Sequence, residues 1–184
     1  MATRKIVLIV AVVALITSKI NAQLYYTKNG SISFFSKTSL EDISADNNQV
    51  VSVLNVAAGT LEFSVLNNAF QFPKAKMQED FDENYIEDAK YPKSSFKGTI
   101  ANVSSFSSLK DGTYKVSANG DLTIHGVSKN ITAPATITIK DGKLSATSSF
   151  KVLIKDYNIK IPSIVNNKIA ESIEITVNCN YEKK

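Results

Sequence analysis

The sequence predicts an all-β fold, an elongated eight-stranded antiparallel barrel carrying one short amphipathic helix. Three observations point there. Apolar and polar residues alternate through run after run, as in strands with one dry and one wet face. Glycine next to asparagine or aspartate punctuates the runs at hairpin spacing. The runs are also long: residues 143–155 alternate throughout, on the order of 40 Å at ~3.3 Å per residue. Long single-faced strands suit a barrel better than a sandwich, because closure removes exposed edges.

In chain order, the first element is a leader. "MATRK" is basic, residues 6–16 ("IVLIVAVVALI") are apolar, and "TSKINA" ends on the small Ala22. This layout predicts a signal peptide over residues 1–22, leaving residues 23–184 as one domain in the periplasm or outside the cell. The apolar run is shorter than the roughly 20 residues a spanning helix needs, so no stable membrane span is expected after cleavage. Cleavage would leave 184 − 22 = 162 residues, enough for a real core. It would also remove Arg4, Lys5 and Lys19, leaving 18 basic residues against 17 acidic ones. That balance argues against a polyanion-binding surface, and no nucleic-acid partner is expected.

The strands follow. "QLYYTK" and "SISFFS" read as a hairpin turned at Asn29 and Gly30, with Phe34 facing inward. Leu61, Phe63 and Val65 alternate on a later run. The segment "FPKAKMQEDFDENYIEDAKYP" breaks the pattern. Met77, Phe81 and Tyr85 recur at helical spacing against a face of acids, predicting a short amphipathic helix stopped at Tyr91 and Pro92. It could be a lid or a plug. Phe96 faces inward on the strand after it.

Asp111 and Gly112 open the next strand, where Tyr114, Val116, Ala118, Gly120, Leu122 and Ile124 share one face. The alternation passes through Asn119 and Gly120 without losing phase, so one long strand bent or bulged at Gly120 is expected rather than a turn. Ile131, Ala133, Ala135, Ile137 and Ile139 follow, and Asp141 with Gly142 makes a hairpin into the run bearing Phe150 and Val152. The last strand carries Ile173, Ile175, Val177 and Cys179 inward. Cys179, the only cysteine, therefore reads as a small buried hydrophobe.

Catalytic chemistry is hard to assemble from these residues. His125 is the only histidine, and its expected place is beside a turn, bonded to backbone. One histidine and one cysteine do not build a zinc site. The acids at Glu79, Asp80, Asp82, Glu83, Glu87 and Asp88 lack the glycine and spacing of a calcium loop and read as a solvated face. Asn-X-Ser/Thr triplets begin at Asn29, Asn102 and Asn130.

The inner face carries more information. Large residues alternate there with Ala118, Gly120, Ala133, Ala135, Ala146 and Ser148 on neighbouring strands. Either the small residues leave a channel or aromatic rings from opposite strands fill it, and the patterning favours a channel. An apolar channel selects apolar ligands. At about 0.8 kcal/mol per buried methylene, one isoprene unit contributes roughly 3–4 kcal/mol gross.

"GDLTIHGVSKNITAPATI", together with "KYPKSSFKG" and "MQEDFDENYIEDAKYP", resembles the YceI-like family, and the helical segment resembles a Bacteroidetes-type branch of it. The resemblance covers essentially all of residues 23–184. It implies a lipocalin-like barrel holding a long polyisoprenoid chain, such as a polyprenyl phosphate or a quinone tail, without a cofactor and without enzymatic activity. Residues 91–98 and 122–129 would then shape the wall and rim, with Leu122, Ile124 and Phe96 lining the cavity. "TKNGSISF" lacks a histidine that many relatives carry near their start, and the segment between Phe81 and Tyr91 is longer than in compact members.

The expected function is a secreted or periplasmic binding protein for an apolar long-chain lipid, as a monomer or homodimer. The alternatives are a filled barrel acting through its surface as a stress-related interaction module, and a lipid-modifying enzyme with His125 or an acid turned inward.

Overall fold

A computed structural model describes residues 24–101 and 110–184. The signal peptide expected over residues 1–22 and the triplet at Asn102 lie outside these residues. Within them eight strands close into one antiparallel barrel, ordered β1 to β8 around the wall. They are β1 (Leu24–Lys37), β2 (Asp42–Asn55), β3 (Thr60–Leu66), β4 (Lys93–Ala101), β5 (Gly112–Ile124), β6 (Val127–Lys140), β7 (Lys143–Leu153) and β8 (Ser172–Lys183). Each strand pairs with its sequence neighbour, and β1 pairs with β8 to close the circle.

Two tight turns follow from local chemistry. Asp141 and Gly142, at φ 51° and 73°, make the two-residue turn between β6 and β7 that their side chains predict. His125 and Gly126, at φ 50° and 72°, make the same turn between β5 and β6. The histidine was expected beside a turn; it is in fact the turn's first central residue.

Asn29 and Gly30 behave differently from expectation. No hairpin forms there. β1 runs straight through them as a single 14-residue strand, with register shifts against β2 on either side of Gly30. The physical reason is clearance: a Cβ on Gly30 would lie 2.7 Å from the Cys179 sulfur. Glycine is there to admit a side chain from β8, and neither residue takes the positive φ that a two-residue turn requires.

The single long strand expected through Asn119 and Gly120 is present, with unbroken register on both sides and no bulge. Gly120 of β5 faces Gly98 of β4 across the ladder. A Cβ at either position would collide with the opposing backbone, so the paired glycines let β4 and β5 approach closely.

The wall is uneven between β6 and β7. Their ladder joins Ala135–Lys140 to residues 143–148 and stops at Pro134, which has no N–H to continue it. The strand expected over residues 143–155 accordingly ends at Leu153. A 3-10 turn, Ile154–Tyr157, packs against both β6 and β7 where they have parted.

Residues 67–92 connect β3 to β4 as a folded insertion. The expected helix begins as α1 (Ala75–Asp80) and widens into a π-helical turn over Phe81–Tyr85, where the Ile86 N–H donates to the Phe81 carbonyl at 2.8 Å. No helix among the described residues is long and apolar enough to cross a membrane.

Candidate functional site

The two ends of the barrel interior are packed differently. At one end Leu54, Ile137, Leu144, Val116, Cys179 and Tyr181 form a tight core, with Leu54 and Ile137 each 1% exposed. Ser52 and Tyr181 share a hydrogen bond of 2.8 Å inside it. Burial pushes the Tyr181 phenol far up, and it pushes the Cys179 thiol up to about 11. This end is a sealed floor.

Toward the other end the interior is hollow. A cavity of about 520 Å³ runs between the floor and the insertion, within the ~300–1,000 Å³ typical of small-molecule sites. Most inward residues predicted from sequence line it: Phe34, Leu61, Phe63, Val65, Phe96, Leu122, Ile124, Ile137, Phe150, Val152, Ile173, Ile175 and Val177 all border the space, whereas Gly120, Ile139 and Cys179 do not. Tyr114 and Val116 face inward but belong to the packed half. Val116 is buried in the floor, and the Tyr114 hydroxyl donates to the Lys110 carbonyl at 2.8 Å.

Ala118, Ala133, Ala135, Ala146 and Ser148 also border the cavity. They explain why it is open: three neighbouring strands, β5, β6 and β7, present short side chains on successive rungs, Ala118 paired with Ala133, Ala135 with Ser148, and Ala146 next along β7. The rings that could have filled the space are held elsewhere. Phe63 leans on Phe96 with centroids 6.5 Å apart. Phe34 joins Phe70, Phe72 and Phe81 in a cluster with its own centroid 5.4–5.6 Å from each.

That cluster roofs the cavity. Its Phe70, Phe72 and Phe81 come from the insertion, which also contributes Met77, Tyr85 and Ile86 to the lining. The helical segment therefore covers this end of the cavity. Both ends of the insertion are tied at Asn67, which is buried. The Asn67 N–H donates to the Pro92 carbonyl at 3.0 Å, its amide donates to the Tyr91 carbonyl at 2.6 Å, and its amide oxygen accepts from Ser94 at 2.9 Å.

His125 provides a third tie. Its Nδ1 lies 3.1 Å from the Tyr157 carbonyl and its Nε2 lies 2.7 Å from a Glu87 carboxylate oxygen. The Tyr157 carbonyl can only accept, so Nδ1 faces it as the donor, and Nε2 faces the carboxylate at hydrogen-bond distance. Tyr91 meets the imidazole edge-to-face with centroids 4.5 Å apart. Gly126 makes room for that ring, since a Cβ there would lie 2.5 Å from Tyr91. One residue thus joins the β5–β6 turn, the insertion and the 154–157 turn. The expected backbone bond is present; the carboxylate partner, 38 residues away in sequence, had no local signal.

Sequence reasoning also missed the β7–β8 connection. Ile159, Ile161, Val165 and Ile169 line the cavity, and the alternation of "NIKIP" could have shown it. At the open end the lining turns polar, with Glu41, Lys74, Lys76, Asp80 and Lys168 around the mouth. Among the described residues no three histidine, cysteine or acidic side chains gather as a metal site.

Comparison with known proteins bears on this geometry. A family model described as a YceI-like domain matches residues 17–181. A polyisoprenoid-binding domain from Saccharophagus degradans, implicated in plant cell wall breakdown, superposes with a TM-score of 0.78 at 13% identity, covering 89% of this chain and 99% of its own. Burkholderia cenocepacia BcnA superposes with a TM-score of 0.71 at 14% identity, covering 83% and 96%. A Campylobacter jejuni YceI protein reaches 0.52 at 19% identity, covering 86% and 85%. At such identities the likeness is one of fold. No curated protein matches the chain.

Proposed function

The chain belongs to the YceI-like family, and from that premise we propose that it is a secreted or periplasmic carrier that holds a long polyisoprenoid, or a lipid of similar shape, inside its barrel. The observation that carries the reading is the hollow upper half of the interior, apolar on its walls, closed at the floor and roofed by the phenylalanine cluster. Such a space accommodates a greasy chain along its length and offers it few polar partners. The polyisoprenoid-binding domain of similar fold supports the same ligand class. Each isoprene unit buried adds roughly 3–4 kcal/mol gross, so a few units offset an association cost of some 4–15 kcal/mol.

Binding without catalysis rests on the state of His125. Both its ring nitrogens are engaged, by a carbonyl and a carboxylate, which leaves none to activate a nucleophile.

Native mass spectrometry of residues 23–184 expressed in a bacterial periplasm, with solvent extraction of the bound material, tests the proposal. A discrete added mass that resolves as a prenyl chain is expected, and the same spectrum reads monomer or homodimer. An empty protein that also fails to take up added prenyl lipids overturns it. Phe63→Asp and Phe150→Asp each place a charge on the cavity wall and should abolish retention, because the largely apolar lining offers a carboxylate few partners. Native-level retention in a folded variant contradicts the cavity assignment.

A further inference from the structure

Resting on that reading for its purpose, we infer that the open end of the barrel docks onto the surface of an anionic lipid bilayer, with Ile164 and Leu40 entering the interface and Lys160 and Lys168 meeting the headgroups. The exposed apolar side chains are not scattered over the molecule. Among the described residues seven large ones are exposed. Five of them, Phe35, Leu40, Leu66, Leu153 and Ile164, stand at or near strand ends and in connections around the mouth. The other two, Val51 and Val53, lie farther along β2. Ile164 is the most exposed at 86%, followed by Leu40 at 61%.

Ile164 stands at the tip of a loop with two faces. In the β7–β8 connection Ile159, Ile161, Val165 and Ile169 line the cavity, while Pro162, Ser163 and Ile164 are exposed. The loop is held in shape by its own backbone. The Val165 N–H donates to the Pro162 carbonyl at 3.0 Å, and the Lys168 N–H donates to the Val165 carbonyl at 2.9 Å. Leu40 belongs to the neighbouring turn. The Ala170 N–H donates to the Ser36 hydroxyl at 2.8 Å, which joins the connection to β1. The Thr38 hydroxyl accepts from the N–H groups of Leu40 and Glu41 at 3.2 and 3.0 Å, so Leu40 too is presented on a fixed backbone.

Charge and area together identify the partner. Residues 158–170 contain Lys160 and Lys168 and no acid, and both lysines are exposed. Glu41 is 3.9 Å from the Lys168 ammonium and is shared with Lys74 at 3.2 Å. The insertion carries the acids of this end, at Glu79, Asp80, Asp82, Glu83, Glu87 and Asp88, so the β7–β8 side turns toward an anionic surface. A stable protein partner needs a continuous face of roughly 800 Å². Two separate apolar tips flanked by bases fit a bilayer surface, where a few inserted side chains and attraction to anionic lipids act together. Ile164 outside and Ile161 and Val165 inside then give a prenyl chain an apolar path from bilayer to cavity.

The chain contains no tryptophan, so Ile164→Trp puts a single fluorophore at the tip, and Val51→Trp puts one on the outer wall as a control. With phosphatidylcholine vesicles containing phosphatidylglycerol, emission from Ile164→Trp should shift to the blue and emission from Val51→Trp should not. In co-sedimentation the unsubstituted protein should prefer these vesicles to pure phosphatidylcholine by about tenfold. Lys160→Gln with Lys168→Gln should remove that preference. Leu40→Ser with Ile164→Ser should weaken binding to the anionic vesicles about tenfold. No blue shift at the tip, an equal shift in the control, or partition unmoved by the lysine substitutions overturns the docking surface. So does a blue shift that grows with protein concentration in the absence of vesicles, which would assign the tips to a second copy of the chain. Protein that carries a prenyl chain in native mass spectrometry yet ignores vesicles loses the docking surface alone. Protein that docks as described yet takes up no prenyl chain keeps the surface and loses the carrier reading.

Discussion

Cys179 and His125 are the two residues whose chemistry could have suggested a reactive centre, and both are engaged in holding the fold. Burial raises the Cys179 thiol from 9.0 to about 11, an effect partly offset by the neighbouring Tyr181 hydroxyl. The sign of the linked stability follows directly. Below pH 9 folded and unfolded chains both keep the proton, and the thiol's contribution is fully present. Between 9 and 11 the unfolded chain releases a proton that the native state retains, so stability declines as pH rises through the native value. Urea midpoints measured across pH 8–11 should therefore fall less steeply in Cys179→Ala than in wild type, even though the variant starts lower for lack of a buried sulfur. Parallel slopes in the two proteins would contradict the buried, neutral thiol. Alkylation at pH 8 should likewise be slow in the native protein and fast in denaturant. The sequence pattern was sufficient to place this residue: Ile173, Ile175, Val177 and Cys179 alternate without interruption. His125 was legible only in part. The adjacent Gly126 announces a turn, but contact with Glu87 depends on how a distant insertion folds.

At the scale of elements, local chemistry was readable where it governs conformation and silent where a neighbour overrides it. Asp141 with Gly142 turns the chain because nothing else occupies that position, and a Cβ on Gly142 would meet nothing within 4 Å. Asn29 with Gly30 offers a similar pair of residues, yet the Cys179 sulfur requires the glycine for space and the strand runs on. Helical periodicity located the helix correctly, while its π-helical second half reflects tertiary demands: Phe81 turns into the phenylalanine cluster and Glu87 reaches His125. Glu87 and His125 both hold left-handed backbone, at φ 49° and 50°, a conformation that costs a non-glycine residue roughly 1–2 kcal/mol. Their shared bond stabilises both. Replacing His125 with alanine should cost about 1–2 kcal/mol in global stability, toward the low end for a charge-assisted bond because Glu87 is 44% exposed. The local effect should be larger. Amide hydrogen exchange over residues 81–91 should accelerate while β2 and β3 stay protected. Unchanged exchange in that segment would show that the phenylalanine cluster alone holds it in place.

For the whole molecule, the governing fact is a barrel packed along half its length. Alternation predicts which strand residues face inward, and it placed most of the strand-borne wall, though not Phe70, Phe72 and Ile86 of the insertion or the isoleucines of the β7–β8 connection. It cannot report whether inward residues meet across the barrel, because that depends on the levels at which large and small side chains sit around the circumference. Here Ala118, Ala133, Ala135, Ala146 and Ser148 fall on successive rungs of β5, β6 and β7, and the ring of β3, Phe63, leans on Phe96 instead of crossing the space. The hollow has a thermodynamic consequence. Its lining forgoes both the burial and the dispersion contacts that a filled core would gain. Ala135 and Ala146 are only partly buried although they face inward, so their surface opens onto the cavity. Leucine at both positions should fill part of it. With the ligand extracted, the double variant should unfold at higher temperature than wild type, by several degrees if each leucine recovers about 1 kcal/mol of burial. It should also lose most of its capacity for a prenyl chain. A protein that keeps a void at the expense of stability is one whose void is used. A variant that is less stable than wild type without ligand would mean that the wall has no room for the added atoms, and that the cavity is narrower than a chain requires. A more stable variant that still retains lipid would move the ligand to another part of the molecule. Greater stability with lost retention is the outcome that ties the hollow to its occupant.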